Sequence, residues 1–252
     1  MSKKIEEETK DLTTQEENTD MATLSNELGF DVKENMDDVK ISFPEIKIAH
    51  QENQFFVFPG KETKADFEGI VIYSHLTNGW WRESFANSGG SAAPDCFSLD
   101  GHTPDPASQD AQAKRCDLCE LNVFGSGLDD KGNPTNGKAC KNMRAIYIVA
   151  EGSKIPYRML VPATSLKAWD AHMNFLTSQG IPSPLAVVRF ALVQKKSQTG
   201  IKFSMLTIEL LNEITSMQKG KEIKKLRDKF LELFKSQPII SDGEDQDVSE
   251  QF

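Results

Sequence analysis

No stretch of the sequence approaches the roughly 18 consecutive apolar residues that a membrane-spanning helix needs, so no membrane partner is expected. The opening residues Met1-Ser2-Lys3-Lys4-Ile5-Glu6-Glu7-Glu8 lack the apolar core of a secretory leader. The expectation is a cytoplasmic protein. Cysteine is scarce, at 4 of 252 residues. Without an export signal these read as reduced thiols or a metal site, not as a disulfide framework. Signatures of common enzyme classes are missing: there is no P-loop, no GxSxG, no HExxH and no GxGxxG. A protein without catalytic residues is expected. Internal repeats are absent. Apolar residues make up only 38% and the mean hydropathy is −0.46, low values for a chain packed from end to end.

What the chain has in excess is acid, with a net charge of −9. That charge sits at the ends. Residues 1–40 hold 5 basic and 12 acidic side chains, and residues 241–252 hold 5 acidic and no basic ones, which leaves residues 41–240 at net +3. One Zn²⁺ on four thiolates would bring that to about +1. A nearly neutral middle can still carry a basic groove, because binding follows the local field and not the total. Residues 1–38 are rich in Glu, Thr, Asn and Asp, with isolated apolar positions. Such a segment cannot offset chain entropy by burial, and it is expected to be disordered apart from a short helix near residues 23–28.

The last residues read Ser241-Asp242-Gly243-Glu244-Asp245-Gln246-Asp247-Val248-Ser249-Glu250-Gln251-Phe252. A terminal aromatic on an acidic run gains nothing for folding. Phe252 suits a partner's pocket, with Asp242, Glu244, Asp245, Asp247 and Glu250 meeting basic residues around it.

The four cysteines, Cys96, Cys116, Cys119 and Cys140, are spaced C-x19-C-x2-C-x20-C. Zinc takes four soft ligands at tetrahedral corners, and C-x2-C supplies two from one tight turn. They lie within a Gly-, Ser-, Asp- and Pro-rich stretch near residues 78–137 that has little periodicity. A structureless insert of that length needs something else to order it, and one structural zinc per chain would do so. Free buried thiols, an iron–sulfur cluster on the same ligands, and His102 in place of Cys96 are the alternatives.

Around the insert the patterns are regular. Alternation gives strands over residues 41–59, 67–75, 145–150 and 157–161. Thr164 or Ser165 caps a helix with Leu166, Trp169, Met173 and Leu176 on one face and Gly180 as its stop. A hairpin follows over residues 186–196 and 201–211. A basic amphipathic helix near residues 219–235 places Ile223, Leu226, Phe230 and Leu233 at helical spacing. A five-stranded OB barrel sets its helix between strands three and four and ends on a hairpin, and it is a common platform for oligonucleotides. The expected class is mainly β with α (α+β). Residues 39–238 form an OB-like five-stranded barrel with a four-cysteine zinc-binding insert, residues 76–142, between strands two and three. A C-terminal helix spans residues 219–236, and disordered acidic tails occupy residues 1–38 and 239–252.

The tail ending in Phe252, the cysteine-bearing insert and this element order resemble phage-type single-stranded DNA-binding proteins, which combine an OB fold, a zinc subdomain and an acidic C-terminal tail. The resemblance implies a protein that coats single-stranded DNA in phage or prophage DNA replication or recombination, inside a bacterial host cell. It also implies that the tail recruits replication or recombination proteins. The family's zinc site uses one histidine with three cysteines, so its ligand order is not carried over to this chain.

Strand-tolerant binding needs flat rings for bases and cations for phosphates. Tyr73, then Trp80, Trp81, Arg82 and Phe85, put aromatics and an Arg beside the insert. Lys114 and Arg115 precede Cys116. Lys138, Lys141, Arg144 and Tyr147 surround Cys140, and Arg158 follows Tyr157. The hairpin adds Arg189, Lys195, Lys196, Lys202 and Phe203. Rival readings are a zinc-containing transcription or protein-interaction factor and a nuclease using scattered carboxylates. Self-association is left open.

Overall fold

A computed structural model describes residues 27–29, 42–49, 54–83, 93–129, 132–150, 153, 155–196 and 202–237. The chain divides into two compact units, Met1–Ile41 and Ser42–Phe252. Only residues 27–29 of the first are described. All strands among the described residues belong to the second. The expectations for the acidic tail and for Phe85 lie outside the described residues, as does nearly all of the N-terminal segment.

The strands are β1 (Glu45–Ile48), β2 (Phe56–Val57), β3 (Thr63–Lys64), β4 (Asp66–Trp80), β5 (Cys96–Ser98), β6 (Lys141–Ala150), β7 (Tyr157–Val161), β8 (Ala186–Lys196) and β9 (Lys202–Glu213). Helix α1 (Ala163–Ser178) lies between β7 and β8, and α2 (Met217–Ser236) follows β9. The strands form one sheet in the order β3-β2-β1-β7-β6-β4-β8-β9, with β5 added to β4. Only the β1–β7 pair is parallel among those described. The class is mainly β with two helices, and the sheet curls into a half-barrel. No helix among the described residues is long and apolar enough to cross a membrane.

The sheet is buried on both faces because its strands carry two apolar sets. Inside the curl, Ile46, Phe56, Phe67, Val71, Ile146, Ile148, Met159, Val161, Phe190 and Leu206 meet Trp169 and Leu176 of α1. Outside it, Ile70, Ile72, Ala145 and Tyr147 meet Ile223, Phe230 and Phe234 of α2, with Phe43 wedged among them. A bulge in β4 between Val71 and Tyr73 resets which residues face inward. Burying each such Ile or Phe contributes about 1.5–3 kcal/mol, so α2 is an integral layer of the fold.

Several sequence expectations change here. The sheet has nine strands where five were expected. Residues 41–59 do not form one strand: they break into β1 and β2, and with β3 these build a small antiparallel meander on the β7 edge. The cysteine segment joins β4 to β6, which are direct neighbours paired from Gly69↔Ala150 to Gly79↔Lys141. Helix α1 starts after Pro162 with no side-chain cap. Ser165 sits within its first turn, and its hydroxyl accepts the Leu206 N–H at 2.9 Å, tying the helix to β9. Gly180, at φ 71°, does end the helix, and Ile181 N–H donates to Leu176 O at 2.9 Å. Ser216 caps α2 by accepting from Lys219 N–H.

The buried His172 and the half-buried His75 tie this packing to pH. His75 lies beside Tyr147 with ring centroids 6.0 Å apart. Burial lowers its pKa below 6.5, against the opposing pull of backbone oxygens at Leu76, Leu99 and Phe234. Burial alone lowers His172 in the same direction. A base depressed in the folded state binds its proton more readily when unfolded. Stability should therefore be level above pH ~7 and fall as the pH drops below about 6.5. Urea unfolding from pH 8 to 5.5 checks this: the double variant His75→Gln/His172→Gln should show a shallower decline than the native chain.

Candidate functional site

Residues 81–140 leave the sheet at the end of β4 and return at the start of β6, so the segment hangs from two strands already paired to each other. Strand β5 extends that arm, with Asn78 opposite Ser98 and Trp80 opposite Cys96. Partners across an antiparallel pair point to the same face, so Trp80 and Cys96 share one. Asn78 locks the root. Its Nδ2 donates to Gly101 O at 3.0 Å, and its Oδ1 accepts from Asn142 Nδ2 at 2.7 Å. Thr77 Oγ1 donates to Ser98 O at 2.8 Å.

The cysteines follow from this frame. Cys116 begins a 3-10 turn, Cys116–Leu118, and its N–H donates to His102 O at 2.8 Å. Asn122 N–H donates to Cys119 O at 3.0 Å, and Asn122 Nδ2 donates to Cys116 O at 2.7 Å. Cys140 N–H reaches back to Leu121 O at 2.8 Å. All four cysteines are free thiols. All four line one cavity of about 20 Å³, together with Trp80 and Asn78. That volume suits a single small occupant. Burial raises the Cys96 thiol. Burial, followed by the nearby Cys116, Cys119 and Cys96, pushes Cys140 up to about 12.

The donor chemistry fits a four-thiolate metal, and one ion-sized cavity lies among the donors. Even so, no group of three or more His, Cys, Asp or Glu among the described residues is placed as a ready-made metal site. The thiols border a common space without being drawn in as ligands. His102, the alternative to Cys96, is not among the described residues lining that space.

The aromatic and cationic candidates are distributed over several surfaces. Trp80 lines the thiol cavity. Trp81 lies on the other side of β4, where a Cβ at Gly79 would come within 2.8 Å of its ring. Arg82 is paired with Asp110, Arg115 with Asp117 at 2.6 Å, and Arg189 with Asp66 at 2.7 Å. Lys114 and Lys141 are exposed. Arg144 points to the inner face of the sheet, its guanidinium 5.8 Å from the Trp169 ring and Nη1 3.3 Å from Ser74 Oγ. On the hairpin, register decides what sequence alternation left open. Lys195 stands opposite Phe203 and Arg189 opposite Glu209, on the face away from the core, while Lys196 and Lys202 oppose each other on the core side.

Tyr73, Tyr147 and Arg158 are not on open surface. Tyr147 is fully buried, and its hydroxyl donates to Phe234 O at 2.7 Å. Tyr73 stacks on Phe234 at 5.5 Å. Arg158 is 4% exposed and ion-paired with Glu45 at 3.5 Å. The cause is α2, whose apolar stripe covers the outer face of β4 and β6. Sequence reading ranked rings by proximity to cations and missed one. Phe124 is 81% exposed, with the Lys138 ammonium 5.1 Å from its ring centre. The available signal was a single Phe among turn formers, Asn122-Val123-Phe124-Gly125-Ser126-Gly127, with polar residues at strand spacing on either side and two glycines that oppose a helix.

No family model, no curated protein and no solved structure matches the chain. Its site is therefore read from its own geometry.

Asp100 organises the turn between β5 and Cys116. Its Oδ1 accepts from Ser98 Oγ at 2.8 Å, His102 N–H at 2.7 Å and Thr103 N–H at 2.8 Å, and its Oδ2 accepts from Thr103 Oγ1 at 2.9 Å. Partial burial raises its pKa. The Thr103 and His102 N–H groups and the two hydroxyls outweigh that and hold the carboxyl well below the usual range. Asp100→Ala should strip hydrogen-exchange protection from the His102 and Thr103 amides while leaving β8 and β9 unchanged.

Proposed function

We propose that this chain is a single-stranded DNA-binding protein of a phage or prophage replication or recombination system. It would hold the strand by base stacking and phosphate contacts on an OB-like barrel. The observation that carries this reading is the strand path. Leaving aside the short β5 on the cysteine segment, five strands follow one another as β4, β6, β7, then α1, then β8 and β9, and lie in the sheet as β7-β6-β4-β8-β9. That is third-second-first-fourth-fifth, with the helix between third and fourth. An OB fold is a partly open five-stranded barrel. It binds oligonucleotides on the face of its second and third strands and with the loops after its first and fourth.

On that template the cysteine segment is the loop after the first strand, not the second. Lys114, Lys138 and Lys141 lie on it or at its root. The loop after the fourth strand joins β8 to β9, so Lys195, Lys196, Lys202 and Phe203 flank it. Arg144 is on the second strand and faces inward. Lys114, Lys138, Lys141, Lys195, Lys196, Lys202 and Phe203 thus lie on or beside the loops this fold uses for binding, whereas Arg189 sits mid-strand paired with Asp66, and Tyr73, Tyr147 and Arg158 are taken up in packing and pairing. Cys96, Cys116, Cys119 and Cys140 would hold one zinc ion. With four protein ligands its role is to stiffen the loop, with no position open to substrate. The acidic residues before Phe252 would recruit replication or recombination proteins.

Two measurements test the reading. Fluorescence titration with oligo(dT) and with a matched duplex, over a salt series, should show preference for the single strand. Each phosphate contact released by salt should contribute a slope of about −0.7. Preference for the duplex, or binding of neither, would favour a transcription or protein-interaction factor. Elemental analysis of purified protein should give about one zinc per chain. Iron with visible colour would point to a cluster.

A further inference from the structure

Exposed large apolar side chains concentrate on the cysteine segment: Leu118, Val123, Phe124 and Leu128 are 73%, 52%, 81% and 65% exposed. Phe124 differs from the rest in being aromatic and in sitting beside a turn that is held from several sides. Gly125 and Gly127 N–H both donate to Gly137 O, at 3.0 and 2.9 Å, and Thr135 N–H donates to Gly127 O at 2.8 Å. Ser126 Oγ donates to Leu121 O at 2.9 Å and accepts from Ala139 N–H at 3.0 Å. Gly125 takes φ 90°, a left-handed conformation that a β-carbon would oppose. The Lys138 ammonium lies over the ring and also donates to Asn122 Oδ1 at 3.1 Å. Asn122 in turn holds Cys116 O.

We infer that Phe124 and Lys138 form a stacking subsite for one unpaired base and its phosphate. This rests on the single-strand reading above and extends it to a residue outside the sequence candidates. A ring held out in water contributes nothing to the core. A ring carried on a hydrogen-bonded turn has less freedom left to lose when a base lies on its free face. The cation beside it decides the class of occupant. A protein docking on this apolar set would have to bury an ammonium away from water, which is costly without a counter-charge. A polynucleotide brings the phosphate that pairs with it. Stacking is sequence-tolerant, because every base has a π-face.

The test is oligo(dT) binding by Phe124→Ala, Phe124→Leu and Phe124→Trp in the full chain, with sedimentation velocity on each. Loss of the stacked base should weaken binding about 5- to 150-fold in the Ala variant. The Leu variant, apolar but without a π-face, should be weakened nearly as much, and the Trp variant should match or exceed the native chain. Photocrosslinking with 5-iodouracil in the oligonucleotide should label the peptide containing residue 124. If the native chain binds and all three variants bind equally, the subsite is refuted while the single-strand reading stands. If Leu restores full affinity, or only sedimentation changes, the patch docks protein and the inference is wrong. If the native chain does not bind oligo(dT), both fall together.

Discussion

Residues 81–140 join two neighbouring strands, yet the described residues among them supply no member of either apolar core cluster. Their order depends on polar atoms shared several ways, Asp100 and Asn78 foremost, and on four thiols that border one small cavity. Remove the convergence of the thiols and the segment is a long loop with a large chain entropy to overcome. Grant it, and the backbone from Cys116 to Cys140 becomes a platform whose exposed side chains keep fixed positions. Everything proposed about the surface of this segment follows from that constraint.

The second constraint is burial on both faces of the sheet. Strands β4 and β6 carry one apolar set for α1 and another for α2. Alternation lets a single long strand serve both, Phe67 and Val71 on one face and Ile70 and Ile72 on the other. Packing on both faces leaves the loops, the hairpin end and the half-buried Arg144 as the places open to a strand. That is why two tyrosines and an arginine that look like ligands for a strand in the sequence turn out to be packing and pairing groups.

Much of the fold is legible in the residues. The strand at residues 157–161, the hairpin, the Gly180 stop and the apolar stripe of α2 all follow from local period and turn chemistry, which need no knowledge of partners. The strand count was not legible. Residues 41–59 read as one strand, and only the pairing of β1 with both β2 and β7 shows that Glu45–Ile48 and Phe56–Val57 are separate antiparallel strands. Ser165 shows the same limit: its hydroxyl suits a cap, but β9 offers it the Leu206 N–H, a partner distant in sequence. At the candidate site the cysteines announced a common location by spacing alone. The rings did not, because stacking requires exposure, and exposure depends on which helix covers which face.

A bound single strand should touch the loops and the hairpin end of this chain. Hydrogen–deuterium exchange with and without saturating oligo(dT) reads this directly. New protection should appear in the cysteine segment, on β6 around Arg144, and in the ends of β8 and β9 beside their connecting loop, with α2 unchanged. Protection confined to α2, or none anywhere, would contradict it.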